Sequence, residues 1–142
     1  MMYRSFEPSR RAPLGRAPSL FARLAALAAL VTLAACGDGG GSTGAVCPTV
    51  DPPTYQTFGE SFFTMYCTSC HSSTRTGAQR GGAPVGRDYD TLEGVRKELA
   101  AIDSVAASGP DGTFSSMPVG LPTPTLDQRK ALGEFLACEK DR

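Results

Sequence analysis

Only one histidine, His71, occurs in this chain, and there is no second Cys-x-x-Cys pair. A structural zinc site therefore lacks the paired histidines or second cysteine pair it would normally use, leaving Cys47 and Cys138 as the only cysteines to complete it. A basic excess is missing as well. Beyond residue 35, nine basic residues stand against thirteen acidic ones, a mildly acidic balance that argues against a nucleic-acid partner, which requires a basic face. Few stretches suggest strands, and nothing alternates as βαβ units do, which argues against a thioredoxin-like dithiol. No acid–base pair, activated nucleophile or phosphate-cradling loop is evident, so nothing makes a case for an enzyme or for a small-molecule substrate. Apolar runs are short. The longest begins at Leu24 and covers about 12 residues, well below the roughly 20 that a membrane-spanning helix needs.

That short run is informative in another way. Arg4, Arg10, Arg11, Arg16 and Arg23 precede it, and it ends in small residues, the pattern of an export signal. Leu33-Ala34-Ala35-Cys36-Gly37 resembles the bacterial lipoprotein signal, in which the cysteine is lipidated and becomes the new N-terminus. Residues 1–35 are thus expected to be a signal peptide and Cys36 a membrane anchor. The expected location is the periplasmic side of a bacterial membrane. Gly37 in place of Asp leans, by lipoprotein sorting habits, towards the outer one. The following Gly/Ser-rich stretch has no hydrophobic pattern and is expected to be a flexible tether over residues 36–46. Residues 47–142 then form the folded domain, small enough that covalent staples or a cofactor are expected to supplement its core.

With Cys36 assigned to lipid, four cysteines are left. Cys67-Thr68-Ser69-Cys70-His71 is the C-x-x-C-H pattern of covalent haem attachment. Two thiols separated by two residues can reach the two vinyl groups of one haem, and the adjacent imidazole is then placed to bind the iron. A disulfide between Cys67 and Cys70 is the competing reading, and it leaves His71 unexplained. Cys47 and Cys138 flank the domain and are expected to pair with each other in an oxidising compartment.

Three helical stretches are expected. The first runs from about Tyr55 to Cys70, with Phe58, Phe62, Phe63 and Tyr66 on one face. The second begins near Asp90, with Asp90 and Glu93 as N-cap and N3 residues, and ends at Ser108-Gly109-Pro110. The third starts at Thr125, forms a capping box with Gln128, and buries Leu132, Phe135 and Leu136. Two long Gly- and Pro-containing loops, Ser72 to Arg87 and Gly109 to Pro124, separate them. Such loops are unusual in a small domain and make sense if they wrap a flat cofactor. One haem iron needs a second axial ligand, and no other histidine exists to provide it. Met117, followed by Pro118, supplies a soft sulfur donor in the second loop. Met65 lies on the same helix as Cys67, on the proximal side. Lys97, or an open position, is the alternative to Met117.

The order helix, CxxCH, loop, helix, Met-Pro loop and closing helix resembles the class I, monohaem cytochrome c family over about residues 54–139. Gly59 and Phe63 stand eight and four residues before Cys67, as in that family, where a glycine lets the first and last helices cross closely. Leu132 and Phe135 would pack there. The resemblance also implies that Pro84 marks the loop whose carbonyl accepts the His71 Nδ1–H. The fold it implies is mostly α, a small cytochrome c-like domain with haem-wrapping loops. The function it implies is electron transfer with redox partner proteins through one haem c, ligated by His71 and Met117. A haem-based binder of gas or peroxide with a labile distal position is the alternative, and a cysteine-stapled lipoprotein domain without haem is a third.

Overall fold

A computed structural model of the chain describes residues 41–142. The expected signal peptide and the expected anchor at Cys36 lie outside the described residues. No helix among the described residues is long and apolar enough to cross a membrane.

The described chain is mostly helical, with four α-helices: α1 (Glu60–Tyr66), α2 (Leu92–Arg96), α3 (Leu99–Ala106) and α4 (Leu126–Lys140). A two-residue antiparallel hairpin, β1 (Ser108–Gly109) with β2 (Gly112–Thr113), follows α3. The first expected helix is divided. Thr54 and Thr57 cap each other reciprocally and open a wide π-helical turn, Tyr55–Gly59, that leads into α1. α1 stops at Tyr66, four residues before the expected end, and Cys67 to His71 fold into a turn in which Cys70 N–H and His71 N–H both donate to the Cys67 carbonyl, at 3.1 and 2.8 Å.

The second expected helix is also divided, into α2 and α3, because Glu98 leaves the helical region at φ −129° and ψ 19°. Its N-cap is Thr91, whose hydroxyl accepts from Gly94 N–H at 3.2 Å, and not Asp90. The Asp90 carboxylate is engaged elsewhere, accepting from Ser73 N–H at 2.6 Å. Burial raises the Asp90 carboxyl, but hydrogen bonds from Ser72 and Ser73 outweigh it and hold the group below the usual carboxylate range. The third helix begins as expected: Thr125 and Gln128 form a complete capping box, satisfying two N–H groups that a helix start otherwise leaves unpaired.

The core joins α1 to α4. Phe63, Val95, Leu132 and Phe135 are almost wholly removed from solvent, with Phe62, Tyr66, Tyr89 and Ile102 around them. Phe63 and Phe135 meet edge to face with centroids 6.0 Å apart, an arrangement favoured by the ring quadrupoles. Gly59 permits the close approach, because a Cβ there would lie 3.0 Å from the Phe135 ring. Gly133 brings α4 still closer to β1, where a Cβ would stand 2.5 Å from the Ser108 carbonyl oxygen. Gly133→Ala is therefore expected to destabilise the domain by about 1–3 kcal/mol, despite the helix propensity of alanine. A urea unfolding curve with an unchanged slope and a lower midpoint would register it.

Packing begins earlier in the chain than the tether expected over residues 36–46 allows. Thr43 is buried; its N–H and hydroxyl donate to the two carboxylate oxygens of Asp103 on α3, at 2.9 and 2.6 Å. This clasp satisfies a carboxylate that would otherwise face a partly dry site. Cys47 and Cys138 form the expected disulfide, which ties the segment that follows the clasp to α4 across 91 residues of sequence. Near the end of α4, the buried Glu139 is neutralised from both sides by Arg96, at 2.7 Å, and by Arg142.

Candidate cofactor site

The turn after α1, the loop from Ser72 to Asp88, α3 and the loop after β2 enclose a cavity of about 510 Å³, within the range of small-molecule and cofactor sites. Phe62, Tyr66, Ile102, Val105 and Ala106 give it an apolar wall. Cys67, Cys70, His71, Pro84 and Met117 all line it, so the residues singled out in the sequence are brought together around one space. Both Cys67 and Cys70 are unbonded.

His71 is held on one edge and one face. Its Nδ1 lies 3.0 Å from the carbonyl oxygen of Arg87. A carbonyl can only accept, so Nδ1 carries the proton and Nε2 keeps its lone pair free for a metal. The accepting carbonyl is that of Arg87, three residues beyond Pro84 in the same loop. The Pro84 carbonyl is turned instead to the Arg80 guanidinium, at 2.6 Å. Tyr89 stacks on the imidazole with centroids 4.7 Å apart and planes 18° from parallel, and its N–H donates to the His71 carbonyl at 2.9 Å. Burial, with the nearby Glu98 charge, pushes the Tyr89 phenol up to about 12, so it stays neutral.

Met117 comes from the other side of the sequence and is fixed through its backbone. Its N–H donates to the Val105 carbonyl at 2.9 Å, and its carbonyl accepts from Arg129 Nη1 at 2.8 Å. Arg129 is itself buried and donates further to the Ala106 and Phe114 carbonyls, at 2.7 and 3.2 Å. Met65 is 57% exposed and lies outside the cavity lining. Lys97 is spent in a surface ion pair with Glu93 at 2.9 Å.

These residues fit a covalently attached haem better than a bare ion. Burial pushes the Cys67 thiol up to about 12, so the group is held as the neutral thiol. Cys47 and Cys138 are already joined to each other, and no group of three or more His, Cys, Asp or Glu that could hold a metal ion occurs among the described residues. Gly81 passes so near Cys70 that a Cβ would come to 3.0 Å from its sulfur, so a side chain at this position would crowd the thiol.

Three members of the site were not singled out in the sequence: Arg80, Tyr89 and Arg129. Arginines in a polar loop and on an amphipathic helix read as solvated surface, and nothing local marks them as buried. The aromatic Tyr89, standing where the glycine-rich loop ends, was the one available signal. Comparison with protein-family models, with curated proteins and with solved structures gave no match for this chain.

Proposed function

We propose that this chain carries one haem c bound covalently through Cys67 and Cys70, with His71 and Met117 as axial ligands, and that it transfers electrons between protein partners. The observation that carries the reading is that the turn bearing Cys67, Cys70 and His71 and the distant loop bearing Met117 line one apolar cavity. The haem iron would supply a one-electron couple. The chain supplies the surroundings. Arg87 and Tyr89 fix the His71 ring, which limits rearrangement when charge changes. Met117 offers a sulfur donor that favours the lower oxidation state, and the apolar wall of Phe62, Ile102 and Val105 disfavours additional positive charge. The export signal and lipidated Cys36 expected from the sequence would hold the domain at the periplasmic face of a bacterial membrane.

The test is the visible spectrum of protein made in an export-competent host with haem-attachment machinery. A haem that survives denaturation and extraction, with a long-wavelength oxidised band lost in Met117→Ala, is the expected result. That variant should also lower the reduction potential by roughly a tenth of a volt or more. Covalent haem without the band, binding carbon monoxide readily, would shift the function to a gas or peroxide binder. The 37% exposure of Met117 gives that second reading its one structural support. Absence of haem would overturn both.

A further inference from the structure

The loop from Ser72 to Asp88 has little regular structure of its own. It contains one short 3-10 turn, Gly77–Arg80, and four glycines at positive φ, Gly77, Gly81, Gly82 and Gly86, at 51°, 56°, 91° and 87°. Such a stretch has high conformational freedom, yet it must present the Arg87 carbonyl to His71 Nδ1. The side chain that gathers it is Arg80. Its Nε donates to the Ala83 carbonyl at 3.0 Å, and its Nη1 to the carbonyls of Ser72 at 2.8 Å and Arg75 at 3.4 Å. Its Nη2 donates to Pro84 at 2.6 Å and to Arg87 at 3.2 Å, and it pairs with the Asp88 carboxylate at 2.8 Å. The guanidinium is almost wholly buried, where charge-assisted hydrogen bonds are strong and unpaired carbonyls are costly. The planar fork with several fixed donors is what allows one residue to reach so many carbonyls.

The decisive contact is the shared one. The Arg87 oxygen accepts from Arg80 Nη2 and faces His71 Nδ1 at the same time. We infer that Arg80 is a positioning residue for His71: by holding the Arg87 carbonyl in place, it locks the imidazole in the Nδ1–H tautomer and keeps Nε2 directed to the cavity as a donor. The part of this that concerns ligation rests on the haem reading; the tautomer lock does not. Arg80 does not touch the ligand nitrogen, and it acts through a backbone oxygen.

Solvent exchange of the His71 ring Nδ1–H, followed by NMR on the reduced, haem-loaded chain, tests this. In Arg80→Met the proton should exchange about tenfold faster, which corresponds to about 1.4 kcal/mol. Arg80→Lys should do the same, because a single ammonium keeps the charge and loses the fork. Gly133→Ala serves as the control: it destabilises the domain at a distance and should leave the proton's protection unchanged under conditions where each variant is fully folded. Unchanged exchange in both arginine variants, or an equal rise in Gly133→Ala, would overturn the assignment. If neither arginine variant folds, the unaltered chain decides. The Arg80 guanidinium protons and the His71 Nδ1–H should then exchange through one common opening, and separate openings would refute the lock. A chain that takes up no haem defeats the electron-transfer reading, and the same proton followed in that chain still decides the role of Arg80.

Discussion

Replacing Cys47 and Cys138 together by alanine is expected to lower the unfolding free energy by about 4–5 kcal/mol. The bridge closes a loop with a sequence separation of 91, and in the chain-entropy account a loop of this length strips the unfolded ensemble of nearly as much freedom as a single crosslink can. The native state gives up little in return, because Cys138 is packed and buried on α4 and alanine there leaves only a small void. A domain of this size is ordinarily stable by about 5–15 kcal/mol, so the loss is a large fraction of the whole. Urea unfolding of the double variant beside the oxidised parent measures it. The parent midpoint should fall towards that of the variant when a reductant is added. A difference under about 1 kcal/mol would mean that the unfolded chain is already compact without the bridge.

The second large effect is expected at Arg129. Arg129→Met should cost about 3 kcal/mol of stability, since it removes the donor from three carbonyls, those of Ala106, Phe114 and Met117. Burial lowers the guanidinium pKa, and Arg129 has no ion-pair partner among the described residues, so backbone dipoles alone compensate its charge. A methionine of similar reach can fill the space and cannot satisfy the oxygens. The consequence extends to the loop. With its carbonyl released, Met117 keeps only the bond from its own N–H to Val105, and the sulfur should spend less time at one position. In haem-loaded protein the sulfur-dependent long-wavelength band should weaken in Arg129→Met while the thioether links to Cys67 and Cys70 persist. A full-strength band in a destabilised variant would confine the role of Arg129 to stability.

What could be read from residues was whatever local chemistry decides. Thr125 and Gln128 cap each other within one turn, and the buried set Leu132, Phe135 and Leu136 follows from helical spacing. Cys47 and Cys138 could be paired from their positions at the two edges of the domain. The mistakes share a physical cause, in that the deciding contact is remote in sequence. Asp90 and Thr91 are both good caps, and the choice falls to Thr91 because Ser73, seventeen residues earlier, takes the Asp90 carboxylate. The break at Glu98 has no glycine or proline to announce it. Glu98 is met there by Arg87 at 3.3 Å, and the bend lets Val95 and Ile102 both reach the core. Thr43 reads as tether until Asp103 is placed opposite it. Arg80 and Arg129 illustrate the same point most strongly, since an arginine becomes interior only when several backbone carbonyls converge on it, and that convergence is a property of the fold.

The Cys47–Cys138 bridge has a mechanical consequence. Cys67, Cys70, His71 and Met117 all fall inside the covalent ring that it closes, while the segments before Cys47 and after Cys138 leave from the two sulfur-linked residues. Once the Thr43–Asp103 clasp has given way, tension applied between those outer segments passes from one sulfur to the other and not along the backbone of the ring. A pull from the N-terminal side first loads the Thr43–Asp103 clasp, which can yield, and then the bridge, which does not stretch on the scale of a loop. The turn that holds His71 and the loop that holds Met117 are thereby shielded from strain along the chain, so the domain can be tugged from outside the ring without the cavity they both line being pulled open.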